Sequence, residues 1–75
     1  MEISETERHV LQSLVKKGSV GNVMEFLNWS QVDFDKGFEF ANNLQNKDLV
    51  KLLYYNFNKN LIVVELTLEG IKYGS

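Results

Sequence analysis

The last third of the chain constrains its fold most strongly. Two segments rich in branched and aromatic residues, Leu49–Tyr55 and Leu61–Leu66, flank a polar segment at residues 56–60. Apolar runs of this length on either side of a short polar loop are typical of a β-hairpin. The sequence therefore predicts two antiparallel strands, and residues up to Tyr73 have the pattern of the beginning of a further helix.

A first helix is predicted near the start of the chain, just after Ser4. Ser4 and Glu7 have the spacing of a capping box, in which each side chain accepts a hydrogen bond from the backbone N–H of the other residue. Gly18 supplies the left-handed conformation that commonly ends a helix. Apolar residues at helical spacing mark its inward face: Val10, Leu11, Leu14 and Val15.

A second helix is predicted from about Gly21 to Leu27. Either Ser19 or Asn22 is suited to cap its first turn, because both side chains accept hydrogen bonds from free backbone N–H groups. Its apolar stripe consists of Val20, Val23, Met24 and Leu27. Trp29, in the turn that follows, is expected to pack between helices, since aromatic residues of small domains usually supply core area.

A third helix is predicted from Ser30 to about residue 46, with Asp33 as its capping partner. Val32 is expected to add to the junction before it. Gly37 weakens the helix by roughly 1 kcal/mol relative to alanine, which suggests that a neighbouring helix packs closely there. The inward positions are Phe34, Phe38, Ala41 and either Leu44 or Gln45.

Three helices followed by a hairpin predict a fold of the α+β class, a winged helix-turn-helix with a two-stranded β-hairpin wing. Residues 1–75 are expected to form one such domain, since this length is near the lower limit for a single core. The scaffold is used mostly to bind nucleic acids or other proteins, and the fold alone does not decide between them.

Composition excludes several classes of function. With no cysteine, the chain has no disulfide framework and no thiolate nucleophile or metal ligand. Its net charge of −2 provides no general positive field for phosphate backbones. No apolar run is long enough to span a bilayer, and the acidic start is unlike a secretory signal. We therefore expect a cytoplasmic protein that makes no membrane contact.

Candidate contact residues lie on the outward side of the third helix and at the hairpin tip. Asn42 and Asn43 can hydrogen-bond adenine. The nearby carboxylates of the same helix, at Asp35 and Glu39, repel a phosphate backbone. Phe57 either folds back onto the strands or meets a partner, for example by stacking on an RNA base. The candidates are Lys36, Asn42, Asn43, Lys47, Phe57 and Lys59.

No catalytic constellation is recognisable. His9 is the single histidine, and it has neither a second ligand for a metal nor a nucleophile at a usable spacing. Glycines do not form a phosphate-binding loop or a dinucleotide fingerprint. We therefore predict no catalytic, cofactor or metal site in this segment.

Three short patterns carry a family resemblance. The first helix has the form E-x-x-V-L-x-x-L from Glu7 to Leu14, and the segment Leu44–Val50 matches L-x-x-x-G-L-V with Asp48 in the glycine position. The third pattern, L-T-x-E-G-x-x-Y, comprises Leu66, Thr67, Glu69, Gly70 and Tyr73. In this order they resemble the N-terminal winged-helix region of the phenylalanyl-tRNA synthetase alpha subunit, archaeal and eukaryotic type.

The resemblance implies a non-catalytic module of an aminoacyl-tRNA ligase that assists tRNA binding or positions neighbouring domains. ATP and Mg²⁺ are then handled by a downstream catalytic domain, and this chain is expected to be the N-terminal part of a longer one. Two alternatives stay open: a small DNA-binding transcriptional regulator, and a winged helix that binds other proteins. DNA is the less favoured nucleic acid, and the oligomeric state is left open.

Overall fold

A computed structural model describes residues 2–75 and has the α+β class predicted from the sequence. These residues form four α-helices and three strands. In chain order they are α1 (Glu5–Lys16), β1 (Val20–Asn22), α2 (Val23–Leu27), a 3-10 turn (Gln31–Asp33), α3 (Phe34–Asn46), β2 (Val50–Asn56), β3 (Leu61–Leu66) and α4 (Leu68–Gly74). Prediction from the sequence counted one helix and one strand fewer.

Helix α1 begins and ends as its sequence predicts. Ser4 Oγ accepts a hydrogen bond from the Glu7 N–H at 3.1 Å, and Glu7 Oε1 accepts one from the Ser4 N–H at 2.9 Å. Both halves of the capping box are therefore present. Gly18 follows the helix with a φ of 82°, in the left-handed region where a residue without a Cβ is favoured.

The predicted start of the second helix was wrong by two residues, and this error hid a strand. Residues Val20–Asn22 pair antiparallel with β3, and α2 begins only at Val23. Asn22 caps α2 by accepting from the Met24 N–H at 3.2 Å, as one of the two predicted alternatives required. Three residues are too few to show a recognisable sequence period, and the pairing partner of this strand lies in a distant segment.

Strand β1 makes the sheet three-stranded, with β3 in the centre of the order β1-β3-β2. The predicted hairpin is confirmed: β2 pairs antiparallel with β3 from Val50 opposite Leu66 to Asn56 opposite Leu61. Its register shifts between Leu52 and Tyr54, as at a β-bulge. The prediction of a sheet with only two strands is therefore corrected.

The start of α3 also differs from the prediction. Residues Gln31–Asp33 form a 3-10 turn, and neither Ser30 nor Asp33 makes a capping hydrogen bond through its side chain. Val32 is 90% exposed instead of packing in the junction. The predicted close approach at Gly37 is confirmed, because a Cβ built there would overlap the Met24 side chain of α2.

Helix α4 confirms the further helix whose beginning the sequence indicated up to Tyr73, although the predicted fold counted only three helices; it packs against α1. Thr67 Oγ1 caps it by accepting from the Gly70 N–H at 3.0 Å. Gly70 and Gly74 allow the close approach: a Cβ at Gly74 would lie 2.8 Å from the Leu11 carbonyl oxygen. Within residues 2–75 no helix is long and apolar enough to cross a membrane.

The core fills the space between the helices and one face of the sheet. Its largest completely buried side chains come from all layers of the fold, and burial of such apolar surface is the main stabilising contribution. They are Leu11, Leu14, Met24, Leu44, Leu49, Ile62, Val10, Val23, Val50 and Val64.

Replacing Gly70 by alanine should destabilise the fold by about 2 kcal/mol, as overpacking commonly does. The new Cβ would overlap the backbone carbonyl oxygen of Leu49, which cannot move freely because it accepts a hydrogen bond from the Thr67 N–H. Gly37→Ala is the matched control, since its nearest obstacle is the flexible Met24 side chain. Urea unfolding should show the larger loss for Gly70→Ala, and equal stability of the two variants would contradict this packing.

Candidate binding surface

Four aromatic rings form a continuous row where α3 meets the hairpin, and we call this row the aromatic seam: Phe34, Phe38, Tyr55 and Phe57. Phe57 packs edge-to-face on Phe34, with ring centroids 5.2 Å apart. Tyr55 packs in the same way on Phe38 at 5.0 Å. The two α3 rings are themselves stacked, 6.5 Å apart. Such pairs contribute about 0.5–1.5 kcal/mol each beyond the area they bury, so the seam fixes the hairpin against α3.

The seam is buried on its α3 side and open on its hairpin side. Phe34 is only 6% exposed, whereas Tyr55 is 56% and Phe57 54% exposed. The sequence posed two alternatives for Phe57, folding back or meeting a partner. In the structure its ring packs on Phe34 and still leaves half of its surface free, so the two alternatives are compatible.

Gln31 holds the tip of the hairpin next to α3. Its Nε2 donates to the carbonyl oxygens of Phe57 and Asn58, both at 2.8 Å. Because both bonds lie between the 3-10 turn and the loop, they connect segments that the chain separates by 26 and 27 residues. Gln31 is therefore a positioning residue for Phe57.

Two asparagines connect the base of the loop to the residues on either side of α2. Asn60 Nδ2 donates to the Trp29 carbonyl oxygen at 2.8 Å, and Asn22 Nδ2 donates to the Asn60 carbonyl oxygen at 3.2 Å. Asn60 adopts a φ of 54°, a conformation that asparagine tolerates better than most residues. Together with Gln31, these bonds make the hairpin tip a supported element of the fold.

Lys36, one of the predicted contact residues, lies on the opposite side of α3 from the seam. Its Nζ is 5.1 Å from the centroid of the Trp29 ring, the geometry of a cation–π contact. Trp29 is partly buried and packs edge-to-face on Phe40 at 6.2 Å, as its predicted place between helices requires. Asn43 lines the same open depression as Lys36.

Lys47, a second predicted contact residue, is engaged in an ion pair. Its Nζ lies 2.9 Å from both carboxylate oxygens of Glu7, which connects the end of α3 to α1. Burial raises the pKa of the Glu7 carboxyl, but hydrogen bonds from the Ser4 backbone and Lys47, and the charge of Lys47, outweigh it. The pKa of Glu7 therefore lies below its ordinary value of 4.5.

The remaining candidates are scattered. Asn42 is half-buried on α3, and Lys59 is exposed at the hairpin tip, where its N–H donates to Asn56 Oδ1 at 3.1 Å. The structure brings Phe57 next to the other rings of the seam but does not gather the six predicted residues into one site. Lys47 is at the α1 side of α3, and Lys59 is on the loop after β2.

The free edge of the sheet beside the seam is partly closed. Strand β2 is an edge strand, and the Leu52 N–H donates to the Gln45 side chain at 2.8 Å. The irregularity next to it, between Leu52 and Tyr54, further interrupts a regular edge. Bulges and blocked N–H groups are features that oppose strand addition, so this edge is poorly suited to pair with an additional strand.

Comparison with protein-family models, with curated proteins and with solved structures finds no match to this chain. The surface must therefore be interpreted from its own chemistry.

Two residues of this surface were missed from the sequence. Gln31 has no local signal, because its partners are carbonyl groups of a distant loop. Tyr55 was not among the predicted contact residues, although it lies only two residues before Phe57, and residues two apart in an extended segment share a face. That spacing was the one signal that pointed to a shared surface.

Glu7→Gln should lower stability at pH 7 by about 1–2 kcal/mol, because it weakens hydrogen bonds to a charged group. Glu7 has a lowered pKa in the folded state, so its contribution is present above its ordinary pKa and is lost as the pH falls through the lowered value. The difference between wild type and Glu7→Gln should therefore disappear in acid. Urea unfolding at several pH values measures it.

Glu25→Gln is the matched control, because Glu25 makes only an exposed ion pair with Lys17 at 3.5 Å. This substitution should change stability by no more than about 0.5 kcal/mol. A pH-independent loss in Glu7→Gln, or an equal loss in Glu25→Gln, would contradict the assignment of the ion pair.

Proposed function

We propose that the chain is a winged helix-turn-helix module, in which α2 and α3 form the helix-turn-helix and the β2–β3 hairpin is the wing. The order of elements supports this reading: a helix, a short strand, two helices and a hairpin, with β3 central. Strand β1, which the sequence did not predict, also supports this proposal, because it adds a third strand to the sheet of the hairpin.

The module has a non-catalytic binding function, and its occupant is a protein surface. The observation that carries this proposal is the aromatic seam, whose Tyr55 and Phe57 rings are about half exposed. Exposed aromatic residues on a supported element are enriched at protein interfaces, because they contribute a large contact area and lose little conformational entropy. Gln31 supports the tip through two hydrogen bonds, which reduces that entropy loss further.

Electrostatics disfavours a nucleic-acid interface on α3. Lys36 lies over Trp29 and Lys47 pairs with Glu7, so two of the three candidate lysines are already engaged. Asp35 and Glu39 are exposed on the same helix. Phosphate binding depends on cations that replace condensed counterions, and carboxylates repel the backbone.

The resemblance to the synthetase module stays a prediction. Of the two roles that this resemblance implies, positioning of neighbouring domains is the more compatible with an aromatic seam that binds a protein surface. Contact between α3 and tRNA is the less compatible role. An adaptor of this kind needs no catalytic residue of its own.

RNA contact by the hairpin tip is the second candidate. Phe57 is half exposed and Lys59 is exposed two residues later, an aromatic ring with a cation nearby. A base stacked on an aromatic ring contributes about 1–3 kcal/mol, and a lysine adds a phosphate contact. This small footprint predicts weak binding with a shallow dependence on salt.

A fluorescence titration with tRNA-Phe and with duplex DNA, at about 50 mM and about 200 mM salt, separates these functions. Weak or undetectable binding to both is expected, because few free cations face outward. Strong binding that falls steeply with salt would contradict the proposed function. If RNA does bind, Lys59→Ala should weaken it more than Lys36→Ala, and no change in either variant would exclude the tip and α3 as the contact.

Photo-crosslinking tests the protein interface directly. A photoreactive phenylalanine at position 55 should give a discrete protein adduct in an extract from the protein's own source, and nuclease treatment should not remove that adduct. The matched control is position 54, a tyrosine of similar exposure whose side chain points to the other face of the strand. Adducts that are equal at both positions, or that nuclease abolishes, would contradict the proposal.

A further inference from the structure

The sheet has a second face, which points away from the core, and we call it the outer face. Successive residues of a strand point to opposite faces, so the residues between the buried ones identify it. In β3 the buried positions are Ile62, Val64 and Leu66. Val63 and Glu65 therefore lie on the outer face.

The register of the sheet places residues of β1 and β2 beside these two. Residues directly opposite in an antiparallel pair share a face. Tyr54 lies opposite Val63, whereas Lys51 and Val20 lie opposite Glu65, one on each side of it. Tyr54 is 48% and Val20 39% exposed, and both charged residues are exposed as well. No element within residues 2–75 therefore covers this part of the sheet.

The outer face combines apolar side chains with one pair of opposite charges. Its apolar part contains Val20, Tyr54 and Val63. Lys51 and Glu65 are direct neighbours on adjacent strands, with about 4.5–5.5 Å between the Cβ atoms of such a pair. Neither takes part in an ion pair within residues 2–75, so both charges are available to a group that approaches the sheet from outside.

We infer that the outer face binds the outer face of a second copy of this chain, so that the two sheets pack face to face. Packed sheets lie about 10 Å apart, with their strands within about 30° of each other. The observation that carries the inference is the charge pair on adjacent strands, because its arrangement is complementary to itself.

A two-fold axis that runs parallel to the strands, between β2 and β3, shows this complementarity. Such an axis places β2 of one copy over β3 of the other, and every contact occurs twice. Lys51 of each copy then meets Glu65 of the other, and Tyr54 meets Val63. An axis perpendicular to the strands, through the Lys51–Glu65 row, would instead place like charges over each other. Charge therefore selects the first arrangement.

This interface is separate from the surfaces described above. Edge pairing along β2 is opposed by the Gln45 side chain, which occupies the Leu52 N–H, so the sheets meet by their faces. Tyr55 lies opposite the buried Ile62, on the other face, so a dimer leaves the aromatic seam open. With three strands, of which β1 has three residues, the contact area should be near the lower limit of specific interfaces, about 1,200 Å² in total. We expect a weak dimer.

Sedimentation equilibrium of the 75-residue chain, from micromolar to millimolar concentration, tests the association. A reversible monomer–dimer equilibrium is expected. A chain that stays monomeric throughout would overturn the inference and leave the outer face to a different protein. In the dilute extract of the crosslinking experiment such a dimer is dissociated, so position 54 remains the control for position 55.

Charge reversal tests the two-fold arrangement. Lys51→Glu and Glu65→Lys each create like charges across the interface, and each should weaken the dimer at least about tenfold. An equimolar mixture of these two variants should associate again, because every carboxylate of one chain then meets a lysine of the other. The double variant Lys51→Glu/Glu65→Lys should also dimerise. Unchanged dimers in either single variant, or no recovery in the mixture, would overturn the arrangement.

Matched variants separate the interface from general effects. Tyr54→Ala should weaken the dimer, whereas Tyr55→Ala, the loss of a tyrosine from the other face, should not. Lys16→Glu, an equal change of charge at an exposed position of α1, should also leave the dimer unchanged. Because like charges on adjacent strands destabilise a sheet, thermal unfolding must show that each variant is folded. Equal weakening by Tyr54→Ala and Tyr55→Ala would contradict a dimer formed by the outer face.

Discussion

The central position of β3 is the constraint on which the rest of the structure depends. Its alternate side chains Ile62, Val64 and Leu66 are buried beneath the helices, and its two edges pair with β1 and β2. A shift of one residue in a strand moves every side chain to the opposite face, so this burial fixes the register of the whole sheet. The same register places Tyr55 opposite Ile62, on the face that α3 covers.

Side-chain hydrogen bonds extend this order from the core to the hairpin tip and the aromatic seam. Asn22 caps α2, and its oxygen also accepts from the Ile62 N–H at 2.8 Å, so one residue connects the helix to the central strand. Asn60 and Gln31 continue the connection to the loop. The hairpin tip is consequently supported on several sides, and a supported aromatic residue loses less entropy when it binds.

Charged side chains of both signs lie on the outward surface of α3. Lys36 lies over Trp29 and Lys47 pairs with Glu7, whereas Asp35 and Glu39 are exposed, with Glu39 lining the same depression as Lys36. Net charge alone predicts only that nucleic acids are disfavoured. The structure adds that two of the three candidate lysines, Lys36 and Lys47, already have partners within the fold.

Local sequence determined the elements whose signals are local. Such elements are the capping box of Ser4 and Glu7, the left-handed Gly18 and the two apolar runs of the hairpin. They can be predicted because each signal lies within a short segment of the chain. Asp48 occupies the glycine position of the L-x-x-x-G-L-V pattern. Its φ of 61° lies in the left-handed region that favours glycine, which accounts for a glycine in that pattern. Strand β1, the Glu7–Lys47 pair and the aromatic seam were decided only by tertiary structure. Each depends on groups that are distant in the chain, and no local period encodes which distant partner the folded chain supplies.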